Sequence, residues 1–155
     1  IRAMPNTPAS CGKGVTAIFP CKKTTYINID IAKSLFSSVG IAIILKSESK
    51  MDIVTAISGS GPAYVFLFIE ELINSAVDFG LDKKTATVLV KQTLLGSSYL
   101  ASSSEQTPEV LRQNVTSPGG TTEAALKVLN KNNSFYKLLN KAVNAALQKS
   151  IKLSS

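Results

Sequence analysis

The sequence predicts a mainly α-helical chain preceded by a short β-α-β segment, and three observations carry that prediction. From about Lys50 onward apolar residues recur at helical spacing, with helix start and stop signals between the runs. Before that point two short runs rich in Val, Ile and Thr, "GVTAIFPC" and "GIAIILK", flank "NIDIAKSLFSSVG", in which Ile31, Leu35, Phe36 and Val39 keep a helical period. A hydrophobic content of 45% with 17% charged residues supplies a core and argues against disorder.

Taken in order, the strand-helix-strand run has the size of a crossover unit from an α/β sheet. One such unit cannot bury both faces by itself, so residues 1–48 are expected to be the tail end of a larger sheet domain, with Gly40 as the stop of its helix. Residues 49–155 are expected to form a helical domain. Its first helix begins near Met51, is interrupted at "SGSGP" and resumes through "AYVFLFIEELINSAVDFG" to Gly80. Asp82 caps the next helix, which carries Val88, Leu89, Leu94, Leu95, Tyr99 and Leu100. Thr107-Pro108-Glu109 starts a short helix, with Thr as cap and Pro in the first turn. "TTEAALKVLNK" and "SFYKLLNKAVNAALQKSIKL" complete the set, the last capped by Ser134 and ending in lysines that suit a helix C-terminus.

Phe66, Phe68, Ile69, Leu72, Ile73, Ala76 and Val77 wrap nearly all the way round their helix. Such a helix is normally buried centrally. The remaining helices would struggle to surround it, so an obligate homodimer is expected, against the alternative of a compact monomeric bundle. The apolar run from Ala63 to Ile69 stops at Glu70-Glu71, too short to span a bilayer, so no membrane association is expected. The chain opens on Ile1, as a processed chain or a fragment would, and no secretory signal is evident.

Cys11 and Cys21 are the only cysteines and histidine is absent, so two free cytosolic thiols are expected and a His- or Cys₄-based zinc site is excluded. The same absence removes Ser-His and Cys-His nucleophile pairs. A net charge of +7 would attract anions, but the lysines are scattered, with small clusters at Lys22-Lys23 and Lys83-Lys84. No nucleic-acid motif accompanies them, and an anionic small ligand explains the charge as well.

Three glycine-bearing motifs are candidates for chemistry. "GKGVTA" formally fits a dinucleotide fingerprint, but a strand-like run follows the glycines where that fingerprint requires a helix, so it reads as a chance match. "SGSGPA", interrupting a helix, suits close backbone approach. "NVTSPGGTT" differs: Pro118 fixes φ, Gly119 and Gly120 let backbone N–H groups converge at a helix N-terminus, and Ser117, Thr121 and Thr122 add hydroxyls. Such a loop suits a small carboxylate or phosphate; an ordinary capped loop is the alternative.

Together "RAMPNTPASCGKGVTA", "ISGSGPAYVF" and "NVTSPGGTTEAAL", in that order and spacing, closely resemble the C-terminal part of pyrroline-5-carboxylate reductases. The resemblance covers essentially the whole chain. It implies a helical dimerisation domain preceded by a remnant of an α/β dinucleotide-binding domain, and hydride transfer from NAD(P)H to the C=N bond of pyrroline-5-carboxylate, giving proline. It further implies that Ser117, Gly120, Thr121 and Thr122 hold the substrate carboxylate, with the Thr122 hydroxyl beside the ring nitrogen as the catalytic contact. Glu105 falls near the substrate pocket, although an exposed acid near a helix start is also commonplace. Met4, Pro5, Asn6 and Asn114 fall on the cofactor side. The implied cofactor is NADP, with NADPH preferred and NADH possible, and no metal; the implied assembly is a cytoplasmic homodimer or higher oligomer in which both chains build each substrate pocket.

That chemistry needs no histidine, because the cofactor carries the redox work and the protein positions the reactants. One departure is large: the 155 residues do not include the family's dinucleotide-binding domain with its glycine fingerprint. An N-terminally shortened form, inactive alone, is therefore expected, with a non-catalytic homodimerisation module as the alternative.

Overall fold

A computed structural model describes residues 1–154. The chain divides into two compact units, Ile1–Val65 with Asn140–Ser155, and Phe66–Leu139.

The first unit is built on a three-stranded sheet in the order β1 (Arg2–Met4), β2 (Gly14–Phe19), β3 (Gly40–Ile44). β2 and β3 are parallel, joined by α1 (Tyr26–Ser37) as the crossover predicts, and α1 is capped by the Thr25 hydroxyl, which accepts the Asn28 N–H at 3.3 Å. β1 runs antiparallel to β2, with Arg2 opposite Phe19 and Met4 opposite Ala17. Gly40 does not stop α1, which ends at Ser37 with Ser38 as its C-cap. Instead it opens β3 with φ +152°, and a Cβ there would collide with the Gly14 backbone, so glycine is demanded by strand contact. The core of this unit is Thr16, Ala17 and Ile18 of β2 with Met51 and Ala56.

The interruption expected at "SGSGP" takes the form of a widened turn. α2 (Met51–Val54) passes into a π turn at Thr55–Gly59, and α3 (Gly61–Asp78) follows. Three hydroxyls serve the backbone there: Thr55 Oγ1 donates to Met51 O, Ser58 Oγ to Val54 O and the Tyr64 hydroxyl to Ala56 O, at 2.9, 3.0 and 3.1 Å. A widened turn breaks the usual hydrogen-bond ladder, and these side chains satisfy carbonyls around it. From the other end of the chain, Ser150 Oγ donates to Asp52 Oδ1 at 2.7 Å.

The helical run Glu48–Asp78 is long and apolar enough to cross a membrane by length and composition, at mean hydropathy 1.4, which the Ala63–Ile69 stretch alone is not. In the single chain α3 is open, its apolar ring left uncovered by the other helices as expected: Phe66 is 62% exposed and Leu67 56%.

The second unit contains α4 (Lys83–Ser103), α5 (Pro108–Asn114), α6 (Thr121–Leu129) and the start of α7 (Ser134–Ser154). Asp82 caps α4 through the Thr85 N–H at 3.0 Å and Thr107 caps α5 through the Val110 N–H at 3.4 Å, as their positions predict. Ser134 is not a cap. It is already helical, and its hydroxyl donates back to Leu129 O at 2.8 Å across the turn where Asn132 and Asn133 take positive φ. Among the described residues of this unit, Ala86 and Val90 are the buried apolar side chains.

Candidate functional site

The loop between α5 and α6 is a tight turn set against a helix start. Ser117 to Gly120 closes through the Gly120 N–H donating to Ser117 O at 3.0 Å. Pro118 stands second, where its fixed φ fits, and Gly119 stands third with φ +72°, the arrangement of a type II turn. Gly120 is then the N-cap of α6 in extended conformation, without a side-chain cap. A Cβ on Gly120 would lie 2.5 Å from Ser117 Oγ, so glycine lets the serine hydroxyl fold over the helix start.

The two glycine amides do not converge on an external ligand as expected. The Gly120 N–H is spent in the turn, and the Gly119 N–H donates to Glu123 Oε2 at 2.9 Å. The donors left at the helix start are the amides of Thr121, Thr122 and Glu123, the first turn of α6, which have no carbonyl below them within the helix. The helix dipole adds positive potential there. The hydroxyls of Thr121 and Thr122 make no hydrogen bond among the described residues; Thr121 is exposed and Thr122 half-buried. This is an anion-accepting arrangement standing at the surface of the single chain.

Two further expected residues belong to the same unit. The Asn114 side-chain amide donates to Gln106 Oε1 at 3.1 Å, which pins the segment carrying Glu105 to the end of α5 from which the loop departs. Glu105 itself is exposed.

Met4, Pro5 and Asn6 lie in the first unit. Pro5 follows β1 directly, and a proline cannot donate to a ladder. Asn6 continues the pairing with its side chain: its Oδ1 accepts the Val15 N–H at 2.9 Å, while its Nδ2 donates to Ser58 O of the π turn at 3.2 Å. The Met4 methyl group sits where a Cβ on Gly59 would be, so this glycine admits a side chain and not the close backbone approach expected of SGSGPA; a Cβ on Gly61 would meet nothing within 4 Å. The Met4-Pro5-Asn6 segment is thus keyed onto the π turn. Gly12 ends a 3₁₀ turn and Gly14 opens a strand, so "GKGVTA" cradles no helix.

Glu123, Gln106 and Ser58 are the partners that sequence reasoning missed. Glu123 had a readable signal, an acid three residues after the N-cap, the spacing of a capping box. Its carboxyl is held below the usual carboxylate range, first by the Gly119 amide and then by the Lys127 ammonium. Cys11 and Cys21 are free and exposed, and the Thr24 hydroxyl lowers the Cys21 thiol from its ordinary value.

A family model described as pyrroline-5-carboxylate reductase dimerisation matches residues 48–153. The chain is 44% identical over 154 residues to the pyrroline-5-carboxylate reductase of Pseudomonas aeruginosa, covering 99% of this chain and 56% of that protein. Among solved structures it is similar to the pyrroline-5-carboxylate reductase of Coxiella burnetii, at TM-score 0.94 and 44% identity, over 99% of this chain and 57% of that one. The Plasmodium falciparum pyrroline carboxylate reductase, solved with NADP bound, gives TM-score 0.90 and 41% identity over 99% of this chain and 62% of that one. The chain spans little more than half the length of these relatives. A family match across the whole helical region, with near-complete coverage by close relatives, leaves one conclusion: the chain belongs to the pyrroline-5-carboxylate reductase family.

Proposed function

We propose that this chain supplies the substrate-binding and dimerisation part of a reductase that transfers hydride from NAD(P)H to the C=N bond of pyrroline-5-carboxylate, giving proline. The observation that carries it is the Ser117–Thr122 turn, with unspent amides and hydroxyls at the start of α6, inside a chain 44% identical to such reductases. The substrate carboxylate sits on the Thr121 and Thr122 amides with the Ser117 hydroxyl alongside, and Gly120 leaves room for it. The Thr122 hydroxyl faces the ring nitrogen, as hydrogen-bond partner of the imine or product amine, and Glu105 borders the ring pocket. Met4, Pro5, Asn6 and Asn114 form the cofactor side, NADPH being preferred over NADH. The nicotinamide supplies the hydride when bound; the chain's own residues bind, orient and exclude water.

In this proposal residues 1–48 end the nucleotide-binding domain and residues 49–155 form the helical domain of a cytoplasmic homodimer, open to higher assembly. The exposed apolar ring of α3 supports the dimer, because a second copy can cover Phe66, Leu67 and Phe68. Glu70 and Glu71 lie in mid-helix, where a bilayer would penalise them.

The test joins the chain to an intact dinucleotide-binding domain and follows NAD(P)H oxidation by pyrroline-5-carboxylate. Activity is expected, and Thr122→Ala should lower turnover roughly tenfold or more with the dimer intact. A folded, complete protein without activity overturns the proposal; equal loss of folding and rate makes Thr122 structural. A second function, a homodimerisation module without catalysis, is favoured by the same open α3. It predicts a dimer by light scattering and no NADPH fluorescence change on titrating the chain alone.

A further inference from the structure

The carboxylate of Glu123 has a divided allegiance. Its Oε2 accepts the Gly119 N–H at 2.9 Å, and its Oε1 lies 3.2 Å from Lys127 Nζ. One oxygen therefore holds the turn while the other is held by a cation one helical turn further on. Gly119 is the residue of the turn with φ +72°, and glycine adopts negative φ about as readily, so an added contact helps select this conformation. Gly120 is anchored separately, through Ser117 O. With both glycine amides satisfied internally, an incoming anion meets the threonine amides and not the turn.

Charge makes the Lys127 contact necessary. A bare carboxylate beside an anion-accepting helix start would repel a second carboxylate, and the neighbouring ammonium offsets that repulsion. Glu123 also stands in the first turn of α6, where its charge opposes the dipole's positive end and partly cancels the attraction for a ligand. Its net contribution to anion binding thus comes from geometry and not from charge.

We propose that Glu123 is a positioning residue, which fixes the Pro118-Gly119 turn so that the Thr121 and Thr122 amides stay open to a ring carboxylate, with Lys127 as its neutralising partner. This rests on the carboxylate site proposed above. Glu123 does not touch the substrate; it acts through Gly119.

The experiment measures L-proline affinity by calorimetry and Gly119 amide exchange by NMR, for the wild-type chain, Glu123→Ala and Glu123→Gln. Glu123→Ala is expected to weaken proline binding about tenfold and speed Gly119 exchange by a similar factor, with dimer mass unchanged and Tm lowered by only a few degrees. Glu123→Gln, whose side-chain carbonyl can still accept the amide, should recover most of both. Wild-type affinity and exchange in Glu123→Ala overturn the positioning role and leave the carboxylate site standing. A failure of Gln to rescue assigns the effect to charge and overturns the role equally. Absence of proline binding by the wild-type chain overturns the site itself and this role with it.

Discussion

Replacing Asn6 by alanine severs two hydrogen bonds that join three elements. The Val15 N–H loses the Oδ1 acceptor at 2.9 Å and Ser58 O loses the Nδ2 donor at 3.2 Å, both in part-buried surroundings. A typical bond contributes about 1 kcal/mol net, and a partner left unpaired away from water costs about 1–3 kcal/mol. Partial burial places each loss in the lower half of that range, so Asn6→Ala should destabilise by about 2–4 kcal/mol. Asn6→Asp keeps an acceptor for Val15 but turns a carboxylate oxygen toward the Ser58 carbonyl, so it should lose the second bond and keep the first. Urea denaturation at one fixed protein concentration measures the sum, since the stability of the proposed dimer depends on concentration. Amide exchange separates the parts: Val15 should exchange faster in Asn6→Ala and near wild type in Asn6→Asp. A change under about 0.5 kcal/mol in Asn6→Ala, with the Val15 amide still protected, would refute the claim that the side chain continues the ladder past Pro5.

Two further outcomes follow from the structure. Gly119→Ala places a Cβ on a residue at φ +72°, which should cost about 1–2 kcal/mol in thermal unfolding and weaken proline binding; an unchanged Tm would mean the turn tolerates another conformation. Acid should loosen the starts of α4 and α6. The Asp82 carboxyl is lowered by the Thr85 hydroxyl and amide, and Glu123 by the Gly119 amide and Lys127. For a depressed carboxyl the stabilisation is present above the unfolded-state pKa and vanishes as pH falls through the folded one. Stability should therefore decline below the usual carboxylate range, and Asp82→Asn and Glu123→Gln should each flatten that decline in a pH series of melts.

What the sequence disclosed was local. Asp82 and Thr107-Pro108 were readable because those residue types satisfy a helix start in only one way. The crossover pair β2 and β3 was readable from β-branched runs around a helical period. β1 was not, because three residues carry no period and take their strand state from Phe19, Ile18 and Ala17 across the ladder. Gly40 misled for a related reason: a glycine after a helix usually stops it, and only the Gly14 backbone opposite reveals the true constraint. Ser134 misled because the two positive-φ asparagines before it shift the helix start by a residue. At the site, residue types and spacing identified the turn, but which amides remained unspent depended on where the Glu123 carboxylate went.

The π turn at Thr55–Gly59 does more than interrupt a helix. An α-helix advances about 100° per residue and a wider turn advances less for each, so the turn takes in a surplus residue at roughly the same angular sweep. Deleting a single residue there would let the helix run on without interruption, a gain in local regularity. It would also disturb the Ser58 carbonyl, which accepts the Asn6 side chain, and the seat of the Met4 methyl group at Gly59. The irregularity is a catch for the segment after β1, and smoothing it would release Met4 and Asn6.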